Sequence, residues 1–138
     1  MSEFVLDASV ALAWCFEDEA TPETRAILER MAREAASVPA IWPIEVANVL
    51  ALAERRRRIR PAESAEFIGR LECLTIDVDE ASASRAFTRV LDLAREERLT
   101  AYDAAYLELA MRLGVPLATK DEPLGDAARR LGVNVLGA

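Results

Sequence analysis

Length, composition and charge limit the kinds of protein that this sequence can form. The chain has 138 residues, of which 52% are hydrophobic and 30% are charged, so it can bury one sizeable core but not two. No apolar run approaches the roughly 18 residues needed to cross a bilayer, and the opening MSEFVLDAS lacks the basic segment of a secretory signal. We therefore expect a cytoplasmic protein, without membrane association, that forms a single domain over residues 1–138.

The sequence contains no histidine and only two cysteines. Cys15 and Cys73 do not form a CxxC pair and cannot supply a disulfide framework, so both are expected to be reduced core residues. Histidine is the commonest general base at neutral pH and the commonest transition-metal ligand. Because it is absent, any hydrolytic chemistry must use carboxylates, hydroxyls or lysine.

The charge is acidic overall but unevenly distributed. There are 17 basic and 24 acidic residues, and the net charge of −7 argues against a large nucleic-acid-binding surface. Five arginines nevertheless cluster between Arg55 and Arg60. They could face phosphates or place positive charge at the negative end of a helix, and the sequence leaves both interpretations open.

Strand and helix signals alternate along the first half of the chain. Phe4-Val5-Leu6 is an apolar run that stops at Asp7 and leads into a segment rich in helix formers. Proline favours the first turn of a helix, which predicts helix starts at Pro22, Pro43 and Pro61. The predicted elements are a strand over 4–6, helices over 8–14 and 22–36, a strand over 38–41, a helix from Pro43 to the arginine run, and a helix over 61–71.

The second half continues the alternation. Thr100 and Asp103 fit the pattern of a capped helix start, and Gly114 supplies the matching end. The predicted elements are a strand over 74–78, helices over 79–98 and 100–113, a strand over 115–118, a helix over 121–131 and a strand over 133–136. Short apolar strands that alternate with helices are typical of a parallel sheet covered on both faces. We therefore predict a three-layer α/β/α fold.

Acidic residues recur where the predicted strands end or the following helices begin, and in an open α/β sheet this edge is where ligands bind. The four acids are Asp7 after the first strand, Glu45 and Asp103 in the first turns of two helices, and Asp121 before the last helix. Each alone has a plain structural role, since carboxylates are enriched at helix starts. Their joint placement favours one shared site.

Four carboxylates in one cleft would repel one another unless a cation neutralised them. Mg²⁺ or Mn²⁺ prefers oxygen ligands and is commonly held by one or two carboxylates, waters and substrate phosphate. Such an ion can activate water to attack a phosphodiester. Ser9, Asn48 and Thr119 lie beside the acids and are predicted to support them. Lys120 could touch substrate phosphate or form an ordinary surface ion pair.

These residues lie in motifs whose order and spacing resemble those of the PIN-domain nucleases, specifically the VapC-like toxins, over essentially the whole chain. The motifs are FVLDASVAL, PIEVANVL, LTAYDAAYLELA and PLATKDEPL, followed by a short terminal strand. The resemblance implies that Asp7, Glu45, Asp103 and Asp121 match the acidic quartet of the family. It also implies that Asp7 and Asp103 are the most direct metal ligands, and that the supporting positions are Ser9, Asn48 and Thr119.

The same resemblance implies what the protein does. It implies an endoribonuclease dependent on Mg²⁺ or Mn²⁺, which hydrolyses RNA phosphodiester bonds with metal-activated water. It further implies the toxin of a toxin–antitoxin pair, inhibited by a cognate antitoxin protein and usually homodimeric. Because water rather than the ribose 2′-hydroxyl would be the nucleophile, any preference for RNA must come from shape and groove contacts.

Two other classes of protein remain open at this point. Aspartate-based phosphatases also place an aspartate after the first strand, but their pattern has a second aspartate where this chain has Ser9. A catalytically silent PIN-fold binding module would keep the fold and use the acids only to cap helices. Persistent partner binding, with every activity unchanged in variants of Asp7 and Asp103, would favour that module.

Overall fold

The computed structural model describes residues 2–137, so that Met1 and Ala138, the two ends of the predicted domain, lie outside the described residues. Five parallel strands form one sheet in the order β3-β2-β1-β4-β5. The strands are β1 (Phe4–Leu6), β2 (Ala36–Pro39), β3 (Ile76–Asp79), β4 (Leu117–Ala118) and β5 (Val135–Leu136).

Helices fill the connections between these strands. They are α1 (Ala8–Ala13), α2 (Pro22–Arg30), α3 (Trp42–Arg55), α4 (Pro61–Glu72), α5 (Leu91–Glu97), α6 (Ala101–Leu113) and α7 (Glu122–Arg130). The chain steps outward from β1 through β2 to β3, then returns across the sheet to β4 and β5. Because parallel crossovers are right-handed, α1 to α4 cover one face and α5 to α7 cover the other. The predicted three-layer α/β/α fold is confirmed.

The strands at the centre of the sheet are apolar throughout because both of their faces are covered. All residues of β1 and β4 are fully buried. Helix α6 packs behind the middle of the sheet against β1, β2 and β4, and its Leu107 and Leu109 are also fully buried. The first turn of α6 is thereby held at the carboxyl edge of the sheet. In the part of the chain that the structure describes, no helix is long and apolar enough to span a membrane.

The largest departure from the predicted elements lies between residues 79 and 98, where one regular helix was expected. Instead β3 continues to Asp79, and a 3-10 helix (Glu80–Arg85) and a π-helical turn (Ala86–Val90) precede α5. Ser82 Oγ donates to the carbonyl oxygen of Asp79 (3.1 Å) and to its Oδ2 (2.6 Å). Side-chain bonds to nearby backbone compete with regular helix, and the apolar periodicity of the segment gave no sign of them.

Smaller differences concern the segment that leads into β2. Helix α2 ends at Arg30 rather than near Ala36, because Ala36 is already in the sheet opposite Phe4 and Ile76. The strand therefore runs from Ala36 to Pro39 rather than over 38–41. The strands β3, β4 and β5 overlap the predicted segments but begin about two residues later.

Both cysteines are free, as expected, but the prediction that they are core residues is wrong. Cys73 is exposed and Cys15 is only partly buried, because Cys73 follows the last turn of α4 and Cys15 lies in the turn after α1. The large aromatic residues Phe16 and Trp42 are buried, being 5% and 7% exposed.

Candidate active site

The strands β1 and β4 are neighbours at the point where the chain reverses its direction of travel across the sheet. The connections that follow β1 and β4 leave toward opposite faces of the sheet, which opens a crevice at its carboxyl edge. Ligands usually bind in such a crevice in open α/β sheets. Leu6 in β1 lies opposite Ala118 in β4. The next residue of each strand, Asp7 and Thr119, therefore leaves the sheet side by side.

The carboxylate of Asp7 is held by two hydroxyl groups. Asp7 is 5% exposed, and its Oδ2 accepts hydrogen bonds from Ser9 Oγ and Thr119 Oγ1, both at 2.7 Å. Burial raises the pKa of Asp7, the bonds from Thr119 and Ser9 lower it in part, and the negative charge of Asp121 raises it again. The two hydroxyls thus orient a carboxylate that the surrounding protein makes reluctant to ionise.

Ser9 and Thr119 also connect Asp7 to the loop that follows β4. Ser9 Oγ accepts from the backbone N–H of Lys120, and Thr119 Oγ1 accepts from that of Asp121, both at 3.0 Å. Each hydroxyl accepts one backbone proton and donates its own to Asp7, which defines the direction of its bond. Ser9 and Thr119, both predicted to support the acids, thus link Asp7 to the backbone of residues 120 and 121.

Asp121 and Lys120 both have structural contacts. Asp121 is the N-cap of α7, and its Oδ2 accepts a hydrogen bond from the Leu124 N–H at 2.9 Å. Asp121 therefore has a structural role in capping this helix, whatever its role in catalysis. The Lys120 ammonium donates to the carbonyl oxygen of Glu19 at 2.7 Å. The ordinary surface ion pair expected for Lys120 is not formed within residues 2–137.

Glu45 reaches the site from the first turn of α3 and is held there by Tyr106, a residue that the sequence analysis does not single out. The Tyr106 hydroxyl donates to Glu45 Oε1 at 2.6 Å, and the tyrosine is fully buried. Burial raises the pKa of Glu45, the bond from Tyr106 lowers it, and the charge of Asp7 raises it. Tyr106 lies three residues after Asp103, on the same side of α6, and this spacing is the sequence signal that could have found it.

The pKa of Asp103 is raised by burial and, in part, by the negative charges of the other three acids. Burial, followed by the negative charges of Asp121, Asp7 and Glu45, raises its pKa to about 6, although a hydrogen bond with Thr100 lowers it in part. Thr100 caps α6 by accepting the backbone N–H of Asp103 at 3.1 Å. The structure therefore brings the four predicted acids into one electrostatically coupled group.

This group is open rather than a closed metal cage. Among residues 2–137, no three acidic, cysteine or histidine side chains converge as a ready-made metal site. That arrangement suits an ion that keeps several waters and takes only one or two protein carboxylates, as Mg²⁺ does. Asn48, predicted to support the acids, is exposed on α3, and within the described residues its side chain makes no hydrogen bond to them.

Two arginines of the run between Arg55 and Arg60 form ion pairs with nearby acids. Arg58 pairs with Asp18 and Glu19 at 2.8 and 2.9 Å and covers the ring of Phe16, 3.9 Å from its centroid. Arg60 pairs with Glu63 at the start of α4. The remaining arginines of the run, 55 to 57, are exposed. Two of the five arginines are thus occupied by ion pairs, and the other three lie exposed at and just after the end of α3.

Comparison with known proteins identifies the family. The PIN domain model matches residues 4–130, and the chain belongs to the PIN domain family. Proteins of this family are generally nucleases, a class of hydrolases, and usually use divalent metal ions. No curated protein sequence matches the chain.

Solved structures show the same fold at low sequence identity. PAE2754 from Pyrobaculum aerophilum is 24% identical, with a TM-score of 0.70 over 97% of this chain and 83% of that one. FitAcB from Neisseria gonorrhoeae is 20% identical, with a TM-score of 0.63 over 96% and 95%. A toxin–antitoxin complex from Klebsiella pneumoniae is 19% identical, with a TM-score of 0.59 over 87% of each chain.

Proposed function

We propose that this protein is a metal-dependent endoribonuclease and the toxin of a toxin–antitoxin pair, with residues 1–138 forming one PIN domain. The observation that carries the proposal is the coupling of four carboxylates at the sheet crevice, where burial and the other three acids raise the pKa of Asp103 to about 6. Such repulsion is unfavourable unless a cation relieves it. Family membership supports nuclease chemistry over the aspartate-based phosphatase.

The donor set fits Mg²⁺ or Mn²⁺, because it consists of oxygen atoms without thiolate or imidazole. Asp7 and Asp103 would be the direct ligands, with Glu45 and Asp121 completing the site directly or through water. When bound, the ion supplies charge stabilisation at the scissile phosphate and a water of lowered pKa.

The other residues of the site hold these carboxylates in place. Ser9 and Thr119 fix the orientation of Asp7, and Tyr106 fixes that of Glu45. The capping bond to Leu124 holds Asp121 at the start of α7. Partners of this kind keep ligands in position before the substrate binds, which lowers the reorganisation needed during reaction. Hydrolysis by water needs no histidine and no covalent intermediate, in agreement with the composition.

The proposed biological role is supported by the motifs and by the fold likeness to the Klebsiella toxin–antitoxin complex. In this proposal the substrate is RNA, the inhibitor is a cognate antitoxin protein, and the protein acts in the cytoplasm. The test measures cleavage of a mixed pool of structured RNAs by purified, antitoxin-free protein with Mg²⁺ or Mn²⁺, and with EDTA.

Variants make this test specific to the site. Asp7→Asn and Asp103→Asn should abolish metal-dependent cutting, whereas Asp92→Asn, a matched change on α5, should leave it intact. Absence of cutting by the folded wild-type protein with every RNA and metal would replace the nuclease with the binding module.

We also propose that the protein forms a homodimer through an apolar groove beside the site. The groove has a volume of about 480 Å³ and lies between the end of β2, the π-helical turn and the first turns of α6. Phe87 at its rim is 91% exposed, and Tyr102 is 60% exposed. A protruding ring next to an apolar groove is self-complementary under two-fold symmetry, since Phe87 of each copy can enter the groove of the other.

A further inference from the structure

A small polar pocket lies on the opposite side of α6 from the four carboxylates of the candidate active site. It has a volume of about 340 Å³ and is lined by Arg85, Arg89, Glu108, Met111 and Arg112; we call it the arginine pocket. Arg112 follows Asp103 by nine residues, which at 3.6 residues per turn places the two side chains on opposite sides of the helix. The pocket is therefore separate from the candidate active site.

One wall of the arginine pocket is fixed by ion pairs. Arg112 donates to both carboxylate oxygens of Asp79, at 2.7 and 3.2 Å, and to both of Glu108, at 2.9 and 3.0 Å. Glu108 is only 4% exposed. Both carboxylates are thus bonded to Arg112, and within the described residues neither lies within ion-pair distance of Arg85 or Arg89.

The other two arginines lack such partners. Within residues 2–137, neither Arg85 nor Arg89 forms an ion pair, and the buried Nε of Arg85 has no hydrogen-bond acceptor. Like charges spaced four residues apart on helical backbone repel. Acidic residues outnumber basic ones by 24 to 17, so the missing acceptor does not reflect a general shortage of carboxylates.

The backbone that carries these arginines is itself unusual. Arg85 ends the 3-10 helix and Arg89 lies in the π-helical turn, the segment where a regular helix was predicted. Turns of π-helix are rare and occur frequently at functional sites. The irregular segment thus places two arginines without ion-pair partners in the lining of a cavity whose third arginine, Arg112, is already held by carboxylates.

We propose that the arginine pocket binds a phosphate group. Guanidinium groups donate paired hydrogen bonds that match the oxygens of phosphate, and they stay charged at every physiological pH. A phosphate in the pocket would accept hydrogen bonds from the terminal NH groups of Arg85 and Arg89, not from the buried Nε of Arg85, and would reduce the repulsion between the two charges. The phosphate can belong to a small molecule, such as inorganic phosphate or a nucleotide, or to the backbone of an RNA; the chemistry recognised is the same.

The test is a titration of the full-length protein with inorganic phosphate at constant ionic strength, followed by backbone amide NMR. Saturable shifts at residues 85–89 and 108–112 are expected. Arg85→Gln should weaken binding about tenfold or more, because a bond to a charged group is lost, and Arg85→Lys should weaken it less. Arg25→Gln, which removes an exposed arginine from α2, should change nothing.

Two outcomes would overturn the proposal. The first is chemical shift changes that do not saturate in the wild-type protein. The second is an equal loss of phosphate affinity in Arg85→Gln and Arg25→Gln, which would indicate only general charge screening. The amide spectrum of each variant verifies that it is folded. A short RNA added with EDTA then distinguishes the sources. Displacement of phosphate from these residues identifies an RNA backbone site, whereas binding of phosphate or a mononucleotide without such competition identifies a small-molecule site.

Discussion

Tyr106 and Glu45 are 61 positions apart in the sequence and are joined by a 2.6 Å hydrogen bond from the phenol to the carboxylate. Burial, together with the charge of Asp7 and the bond to Glu45, raises the pKa of Tyr106 well above its ordinary value. The phenol therefore remains a donor throughout the physiological pH range. The bond fixes the first turn of α3 against the first half of α6, the two helices that supply Glu45 and Asp103.

Tyr106→Phe should lower the affinity of the site for Mn²⁺ by about tenfold, the lower end of the range for lost partners of metal ligands. The substitution keeps the ring in place, so the free energy of unfolding should fall by only about 1 kcal/mol. Mn²⁺ titration followed by electron paramagnetic resonance measures the first effect and urea unfolding the second. Tyr102→Phe, on the exposed side of α6, is the control; equal Mn²⁺ affinity in the two variants would contradict a positioning role for Tyr106.

Asp103→Asn should stabilise the metal-free protein at neutral pH. The folded pKa of about 6 lies above the ordinary value, so the folded state binds more protons than the unfolded state between about pH 4 and pH 6, and stability falls as the pH rises through this window. The gain should be about 1–2 kcal/mol, a reduced figure because solvent screens a half-buried group. Thermal unfolding with EDTA across this range measures it. A difference in stability between the variant and the wild-type protein that did not grow from about pH 4 to pH 6 would show the sign to be wrong.

Thr119→Val should disrupt the site more than Thr119→Ser, although valine has nearly the shape of threonine. Valine removes the donor to Asp7 and the acceptor of the Asp121 N–H, in a position that is 1% exposed. Leaving buried polar groups unpaired should reduce the free energy of unfolding by about 1–3 kcal/mol. Metal-dependent cleavage and urea unfolding are compared for both variants, and the serine variant should retain most of the activity. Equal losses in both would mean that the methyl group, not the hydroxyl, matters.

Phe87→Glu should convert the proposed dimer to a monomer, because a carboxylate cannot enter the apolar groove without loss of hydration. Sedimentation equilibrium of the wild-type protein and the variant measures the change. Leu113→Glu, which places the same charge on another exposed apolar residue, should leave the dimer intact. A dimer that survives Phe87→Glu would locate the interface elsewhere.

The sheet and the four acids could be predicted because their signals are local. Buried strands such as Phe4–Leu6 are continuous apolar runs, and a carboxylate that directly ends such a run lies at the sheet edge wherever the strand pairs. Thr100 and Gly114 likewise mark α6 through capping and a left-handed φ of 68°, which are properties of the residues themselves.

The features that could not be predicted depend on contacts between distant segments. The backbone after Asp79 is determined by bonds to Ser82 and to Arg112, which lies 33 positions further on, and no periodicity encodes them. Tyr106 looks like one more apolar residue of a buried helix until α3 brings Glu45 to its hydroxyl. Within residues 2–137, Lys120 forms no ion pair, and its ammonium group donates to the carbonyl oxygen of Glu19 instead.

The bond between Thr119 and Asp7 spans 112 positions, and this separation has a consequence during synthesis. Chains emerge from the ribosome with the N-terminus first, at about 5–20 residues per second. Strand β1 and Asp7 therefore wait until the 112 positions up to Thr119 have been made before β4 can pair beside them. The carboxylate group cannot assemble on a chain that stops before Thr119, so a molecule terminated earlier lacks the proposed nuclease site, and the ribosome that makes it is not exposed to that activity until β4 has emerged.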